Sequence, residues 1–161
     1  MKHDFIVNNI NKILLFFNIL ILDIYTKYWI IHNFHLYEYK YIIPILNILY
    51  IHNTGIMFGF LNHDYYISIQ YYIINILTII INYIVWIQFK KNNNYSYLLI
   101  FTGGIGNFID RIYYGFVIDF IDLHIYQWHI FIFNLSDVSI ITGLFLIIIN
   151  KVHHTIRNNN I

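Results

Sequence analysis

The sequence predicts an all-α membrane protein, in which four transmembrane helices form a bundle and a small extracytoplasmic β-rich insert joins the first two helices. Of its 161 residues, 59% are hydrophobic and 11% are charged, whereas soluble domains average about 45–50% and about 25%. The charged residues lie at the ends of long apolar runs and not along one helix face. We therefore expect a single integral membrane domain over residues 1–161.

The composition excludes several classes of function. Nine basic against eight acidic residues leave no basic surface, so no nucleic-acid partner is expected. The absence of cysteine excludes a thiol nucleophile and a thiolate metal site. His124 and His129 fall in a predicted loop, lack the His-Glu-x-x-His arrangement and have no evident third ligand. We expect neither a metal nor a cofactor, and the oligomeric state is left open.

The first helix is predicted over about 13–31, where the apolar run has the length of a membrane span. Asp23 and Lys27 are four residues apart and share a face, either as a structural ion pair or with the lysine snorkelling to the interface. The insert follows at about 33–66, where apolar alternation indicates short strands. Its segment from His52 to Gly59 has turn residues that suit either a plain loop or an amide presented to a ligand.

Three further helices are predicted over about 67–89, 95–108 and 136–151. In the first of these, Asn75, Thr78 and Asn82 recur on one face, so we expect them to face other helices and to form interhelical hydrogen bonds. The glycines of Gly103-Gly104-Ile105-Gly106 lack the P-loop lysine, and close helix packing is the better interpretation.

The distribution of cations predicts the orientation of the bundle. Cations flank both termini and the middle loop at Lys2, Lys12, Lys90, Lys91, Lys151 and Arg157, whereas the two other connections contain only Lys40 and Arg111. The positive-inside rule then predicts that both termini are cytoplasmic. Asp23, Asn53, Asp119 and Asp137 consequently fall at one level, near the outer face.

Carboxylates at a membrane boundary need a reason, because their burial is costly. Two facing aspartates can share one proton and together split an amide, one as the base for water and the other as the acid. The residues alone leave open which two form the pair among Asp23, Asp110, Asp119, Asp122 and Asp137. Ser136 and Ser139 have no lysine or histidine in a triad-like setting, so serine chemistry is disfavoured.

The chain resembles the lipoprotein signal peptidase family, also called signal peptidase II, over nearly its whole length. Five blocks carry the resemblance: Asp23-Ile24-Tyr25-Thr26-Lys27, Asn53-Thr54-Gly55 with Phe58, Gly103 to Arg111, Gly115 to Phe120, and Phe133-Asn134-Leu135-Ser136-Asp137. The resemblance implies an aspartic endopeptidase that removes the signal peptide from diacylglyceryl-modified prolipoproteins, cutting before the lipidated cysteine. Prolipoprotein and membrane lipid are then the expected partners, and the bacterial inner membrane is the expected location.

The same block-by-block match implies roles for individual residues. Asp119 and Asp137 would be the catalytic pair, and Asp110 would be structural. The residues that bind substrate or support the site would be Asp23, Lys27, Asn53, Gly55, Asn107, Arg111 and Asn134.

Two departures from the family pattern bear on specificity. Ile56 and Met57 follow the Asn-x-Gly block where the family has small residues, and Ser136 stands where it has alanine. These larger side chains would narrow or reshape the groove. Two alternative functions are a small proton- or ion-conducting four-helix protein and an inactive relative that only binds lipoprotein precursors.

Overall fold

A computed structural model describes residues 2–55, 64–126 and 128–159, which form four helices and one antiparallel sheet. In chain order the elements are α1 Lys2–Asn33, β1 Tyr39–Ile43, β2 Leu46–Asn53, α2 Asp64–Asn92, α3 Tyr95–Tyr114, β3 Val117–Ile125, β4 Trp128–Phe133 and α4 Leu135–Asn159. Each predicted helix lies inside an observed one, and every observed helix extends beyond its predicted range.

Among the described residues, α1, α2 and α4 contain segments long and apolar enough to cross a membrane. These segments are Asn9–Asn33, Ile69–Asn92 and Leu135–Asn158. The 20 residues of α3 are not among them, so the prediction of a fourth span stays a prediction. The fold therefore combines three apolar helices, a further helix and a small antiparallel sheet.

The sheet has the strand order β1-β2-β3-β4, and only half of it comes from the predicted insert. The other hairpin, β3 and β4, belongs to the connection between α3 and α4, so the assignment of His124 and His129 to a loop was wrong. In β3 the first four residues, Val117 to Phe120, are all buried. This strand therefore lacks the alternation of polar and apolar residues by which a half-exposed strand is recognised.

Glycines allow α3 to pack closely against α4, as the sequence predicted. A Cβ atom on Gly103 would lie 2.2 Å from the carbonyl oxygen of Ser136, and one on Gly106 would lie 2.0 Å from the Ser136 hydroxyl oxygen. Both distances are far below van der Waals contact, so no larger residue fits without moving α4. The glycines fix the start of α4 against the middle of α3.

The polar stripe of α2 faces inward, with Asn75 and Asn82 buried, but its hydrogen bonds differ from the prediction. The bonds donated by Asn75, Thr78 and Asn82 run to the carbonyl oxygens four residues earlier in α2, over 2.9, 2.8 and 2.9 Å. Such back-bonding satisfies the donors within the helix itself. The Asn82 side chain instead packs against Gly104 of α3, since a Cβ on Gly104 would lie 2.3 Å from the Asn82 side-chain oxygen.

An apolar core joins the sheet to the end of α1. Ile30 from α1 and Phe34, the residue after α1, pack with Tyr50 from β2 and with Ile118 and Phe120 from β3, and all five side chains are buried. This contact buries one face of β3 against the helix end. Asp119, between Ile118 and Phe120, therefore points to the opposite face of the strand.

Candidate active site

Asp119 and Asp137 line one cavity of about 550 Å³. Asp119 lies in β3 and is 1% exposed, whereas Asp137 lies half-buried in the first turn of α4. Other walls of the cavity are apolar and include Phe131 and Ile141. The structure thus brings together the two aspartates that the resemblance singled out.

Asn134 links the two carboxyl groups. Its side-chain nitrogen donates to Oδ1 of Asp119 over 2.7 Å, and its backbone N–H donates to Oδ2 of Asp137 over 3.2 Å. The backbone N–H of Asp137 in turn donates to the Asn134 side-chain oxygen over 3.0 Å. This reciprocal arrangement is a capping box, which explains why Asp137 stands at the start of α4.

The two remaining carboxylate oxygens accept hydrogen bonds from asparagines of other elements. Asn53 of β2 donates to Oδ2 of Asp119 over 2.8 Å, and Asn107 of α3 donates to Oδ1 of Asp137 over 2.7 Å. The Asn53 side chain is itself held by the backbone N–H of Gly55 over 2.9 Å, in a turn where Gly55 has a φ of 117°. All four oxygens of the pair therefore face amide N–H groups.

The environment of Asp119 raises the pKa of its carboxyl group to about 7. Burial is the largest cause, because removal from water disfavours the charged form, and the nearby charge of Asp137 adds to it. The hydrogen bonds from Asn53 and Asn134 act in the opposite direction. A proton is thus available on this group near neutral pH.

A second carboxylate cluster lies next to the pair and is neutralised by a lysine. The ammonium group of Lys27 lies 2.7 Å from Oδ2 of Asp23 and 2.8 Å from Oδ2 of Asp110, and it donates to the Asn107 side-chain oxygen over 3.2 Å. The predicted Asp23–Lys27 ion pair is confirmed. The snorkelling interpretation was wrong, because Lys27 is only 1% exposed.

Two backbone contacts connect this cluster to the site, and sequence reasoning missed both. Oδ1 of Asp23 accepts the N–H of Ser136 over 2.8 Å, and Oδ2 of Asp110 accepts the N–H of Ile118 over 3.2 Å. Asp23 thus satisfies a free N–H group in the first turn of α4, where a negative charge is also favoured. The cluster fixes the chain next to both Asp119 and Asp137.

Arg111 lies half-buried beside the pair on α3. Its described hydrogen bond runs from a guanidinium nitrogen to the backbone oxygen of Asn107 over 3.5 Å, while its Nε is buried without a partner. It interacts electrostatically with Asp137, Asp119 and Asp110. Tyr71 of α2, which the sequence did not single out, donates to the Arg111 backbone oxygen over 3.1 Å.

Asp122 is separated from the pair, on the other face of β3. It is fully buried, and its two oxygens lie 2.8 and 2.9 Å from Nδ1 of His129. Asn47 of β2 donates to it over 3.3 Å. The fate of Ile56, Met57 and Phe58 cannot be compared with the prediction, because these residues lie outside the described ranges.

Known proteins similar to this chain are lipoprotein signal peptidases. The sequence model of a family described as signal peptidase (SPase) II matches residues 15–153. Similar proteins include the lipoprotein signal peptidase of Buchnera aphidicola subsp. Schizaphis graminum, 44% identical over 136 residues that cover 82% of this chain and 87% of that protein. That of Blochmanniella pennsylvanica is 34% identical over 163 residues, 99% of either chain.

Two solved structures, both described as bacterial membrane enzymes, share the fold. One has a TM-score of 0.76 and 34% identity, with 90% of this chain and 89% of that chain covered. The other has a TM-score of 0.74 and 35% identity, with 87% and 91% covered. The similarity therefore extends over the helices and the sheet together.

Proposed function

The chain belongs to the signal peptidase II family and cleaves the signal peptide of prolipoproteins in the bacterial inner membrane, and we propose that it does so as an aspartic peptidase. In this proposal Asp119 and Asp137 are the catalytic pair. One observation carries it: all four oxygens of these two carboxyl groups, which line a single cavity, face amide donors and no cation among the described contacts.

The reaction needs one proton on the pair. The ionised carboxyl group takes a proton from water as the water oxygen attacks the scissile carbonyl carbon. The protonated group donates a hydrogen bond to the developing oxyanion, and a proton then passes to the leaving amine as the C–N bond breaks. A pKa of about 7 at Asp119 supports a singly protonated pair at neutral pH.

In this proposal three asparagines position the catalytic carboxyl groups, and Arg111 binds the substrate. Asn53, Asn107 and Asn134 orient the carboxyl groups through hydrogen bonds of 2.7 to 2.8 Å. The buried and unpartnered Nε of Arg111 is a donor that a carbonyl oxygen of the bound peptide would satisfy. Asp23, Lys27 and Gly55 support these groups from behind.

The cavity suits a lipidated substrate. Its polar end contains Asn53, Asp119 and Asp137, and its remaining wall combines apolar residues of β3, β4 and α4 such as Leu123, Phe131 and Ile141. A diacylglyceryl group is apolar and would stay along this wall or in the bilayer while the scissile bond reaches the carboxyl groups. The proposed substrate is therefore a prolipoprotein that already carries diacylglycerol.

Removal of either catalytic carboxyl group tests the mechanism. Asp119→Asn and Asp137→Asn should each lower the cleavage rate of a diacylglyceryl prolipoprotein in detergent by at least about 10²-fold, since general acid–base catalysis contributes about 10²–10⁴-fold. Binding of the uncleaved precursor should persist, because the amide side chain keeps the size of the carboxyl group.

Asp122→Asn is the matched control, because Asp122 lies in the same strand but outside the cavity. The cleavage rate of Asp122→Asn should remain within about threefold of the wild type. In the described part of the chain, the side chain of Asp122 contacts Asn47 and His129 and neither carboxyl group of the pair. Near wild-type cleavage by the Asp119 or Asp137 variant would contradict the proposal.

The alternatives are separated by the same assay. An inactive relative would bind the precursor without turnover in the wild type. Ion conduction receives no support from the comparisons, and four of the described aspartates, Asp23, Asp110, Asp119 and Asp137, form one group instead of a path through the bundle.

We further propose that α3 is a fourth span, that both termini are cytoplasmic and that the cavity opens near the outer face. The 20 residues of α3 correspond to about 30 Å of helix, the thickness of the hydrocarbon core. The cations near both termini and at the end of α2 support this orientation.

The absence of cysteine from the chain makes the orientation directly testable. Tyr126→Cys, in the exposed β3–β4 turn, should react with a membrane-impermeant maleimide on intact spheroplasts. Lys91→Cys, at the end of α2, should react only after the membrane is opened. The reverse pattern would contradict the orientation, and labelling of both from outside would contradict a fourth span.

A further inference from the structure

A second cavity lies between α1, α2 and α3, at the end of the bundle away from the carboxylate pair. Its volume is about 270 Å³, and its wall is apolar and largely aromatic, with Phe16, Trp86 and Phe101 among its residues. Lys12, the charged residue in this wall, precedes Lys27 by 15 positions in α1, which corresponds to about 22 Å of helix. The proposed catalysis does not use this cavity.

Lys12 is a charged residue in an apolar stretch of α1, and its side chain is buried. The residue is 3% exposed, its ammonium group donates to the Asn93 side-chain oxygen over 2.8 Å, and it lies 5.0 Å from the centre of the Tyr95 ring. Both of these partners are neutral. Among the described residues, the lining of the cavity contains no polar surface, so Lys12 contributes its alkyl chain to the wall while Asn93 holds its ammonium group.

Two further lysines stand at the same end of the bundle. Lys90 and Lys91 belong to the last turn of α2, and the ammonium group of Lys90 lies 5.4 Å from the centre of the Trp86 ring. Since Trp86 is part of the cavity wall, positive charge borders the cavity on the α2 side.

The cavity also borders the outer surface of the bundle. Ile13 and Phe17, both in its wall, are 56% and 53% exposed. In a chain with membrane-spanning helices such exposed apolar residues face lipid. An acyl chain can therefore enter from the bilayer without opening the bundle.

We propose that this cavity binds an acyl chain of an anionic phospholipid, whose phosphate contacts Lys90. The apolar wall suits a hydrocarbon chain, since cavities of this kind stay dry and accept apolar ligands. Lys90 and Lys91 of α2 provide charge complementarity for the phosphate, as in basic pockets that bind lipid headgroups between transmembrane helices. The bound lipid would stabilise the packing of α1 against α2 and α3 at the end of the bundle away from the carboxylate pair.

Tryptophan quenching tests the proposal in intact protein. In a Trp29→Phe/Trp128→Phe background, Trp86 is the only tryptophan, because the sequence has three. The protein is reconstituted in phosphatidylcholine vesicles that contain phosphatidylglycerol or phosphatidylcholine brominated on the acyl chains, at equal mole fraction. Brominated phosphatidylglycerol should quench Trp86 fluorescence more strongly than brominated phosphatidylcholine.

Charge variants separate a site from general attraction to an anionic surface. Lys90→Gln should lower the preference for phosphatidylglycerol about fivefold, the factor expected for one lysine near anionic lipid. Lys151→Gln removes an exposed lysine of α4 outside the cavity wall and should leave the preference unchanged. Lys90 and Lys151 are both exposed, so neither replacement should affect folding.

Three results would overturn the proposal. Equal quenching by the two brominated lipids would mean an ordinary lipid-facing groove without headgroup selection. Equal losses in Lys90→Gln and Lys151→Gln would mean surface attraction only. No quenching by either lipid would mean that acyl chains do not reach Trp86.

Discussion

Two groups of aspartates lie side by side in this protein and are compensated in different ways. Asp23 and Asp110 share the ammonium group of Lys27, at 2.7 and 2.8 Å. Asp119 and Asp137 receive amide hydrogen bonds from asparagines, at 2.7 to 3.2 Å. A lysine supplies a positive charge that compensates a buried carboxylate, whereas amide donors orient a carboxyl group without supplying a counter-charge.

This difference distinguishes aspartates that support the structure from aspartates with a proposed catalytic role, although all four look alike in the sequence. The lysine-bound aspartates hold backbone N–H groups of Ser136 and Ile118 and so fix the elements that carry the other pair. In the amide-bound pair, burial and the nearby charge of Asp137 raise the pKa of Asp119. Three predictions follow from this contrast.

The largest effect is expected from removing the cation that defines the first group. Lys27→Met should lower the free energy of unfolding by about 3–5 kcal/mol, because two buried carboxylates lose their partner. Thermal unfolding in detergent measures the change. Lys40→Met, at an exposed position in β1, is the matched control and should have little effect. Similar stability of the two variants would mean that the cluster does not hold the fold.

The same change, aspartate to asparagine, should act with opposite sign in the two groups. The pKa of Asp119 in the folded protein is about 7, above its ordinary value of 3.8, so the folded state binds more protons between these values. Stability that depends on Asp119 is therefore present at acid pH and is lost as pH rises towards 7.

Accordingly, Asp119→Asn should raise the free energy of unfolding at pH 8 by about 2–4 kcal/mol, with little gain near pH 4. Asp110→Asn should lower it by about 1–3 kcal/mol, because it breaks a charge-assisted contact with Lys27. Unfolding curves of both variants at the two pH values provide the measurement. A loss of stability in both variants at pH 8 would remove the distinction between the groups.

The smallest effect is expected from removing a hydrogen bond that lowers the pKa of Asp119. Asn53→Ala removes a donor to the carboxylate form, so the pKa of Asp119 should rise further. The alkaline limb of the cleavage-rate profile should then move to higher pH by about one unit, which corresponds to about 1.4 kcal/mol.

Asn47→Ala is the control for this shift, since Asn47 lies in the same strand and donates to Asp122 instead. Its profile should coincide with that of the wild type. A shift of the alkaline limb to lower pH in Asn53→Ala would contradict the role given to this amide.

The sequence predicted the four helices and the strands between the first two of them. Long apolar runs indicated each helix, since helix formation depends on neighbours in sequence, and the glycines of α3 indicated close packing. The motif blocks singled out Asp119 and Asp137 through resemblance. The second hairpin escaped because the first half of β3 is buried on both faces and carries no alternation.

Only the tertiary structure decided which groups compensate which charges. Lys27 and Asn107 are 80 residues apart, and Asp23 and Ser136 are 113 apart. No periodicity within one segment encodes such a contact, because it depends on how α1, α3 and α4 pack. The sequence by itself therefore determined the helices, the strand-forming insert and the acidic residues. The packing placed the second hairpin and divided those acids into a lysine-bound scaffold and an amide-bound pair.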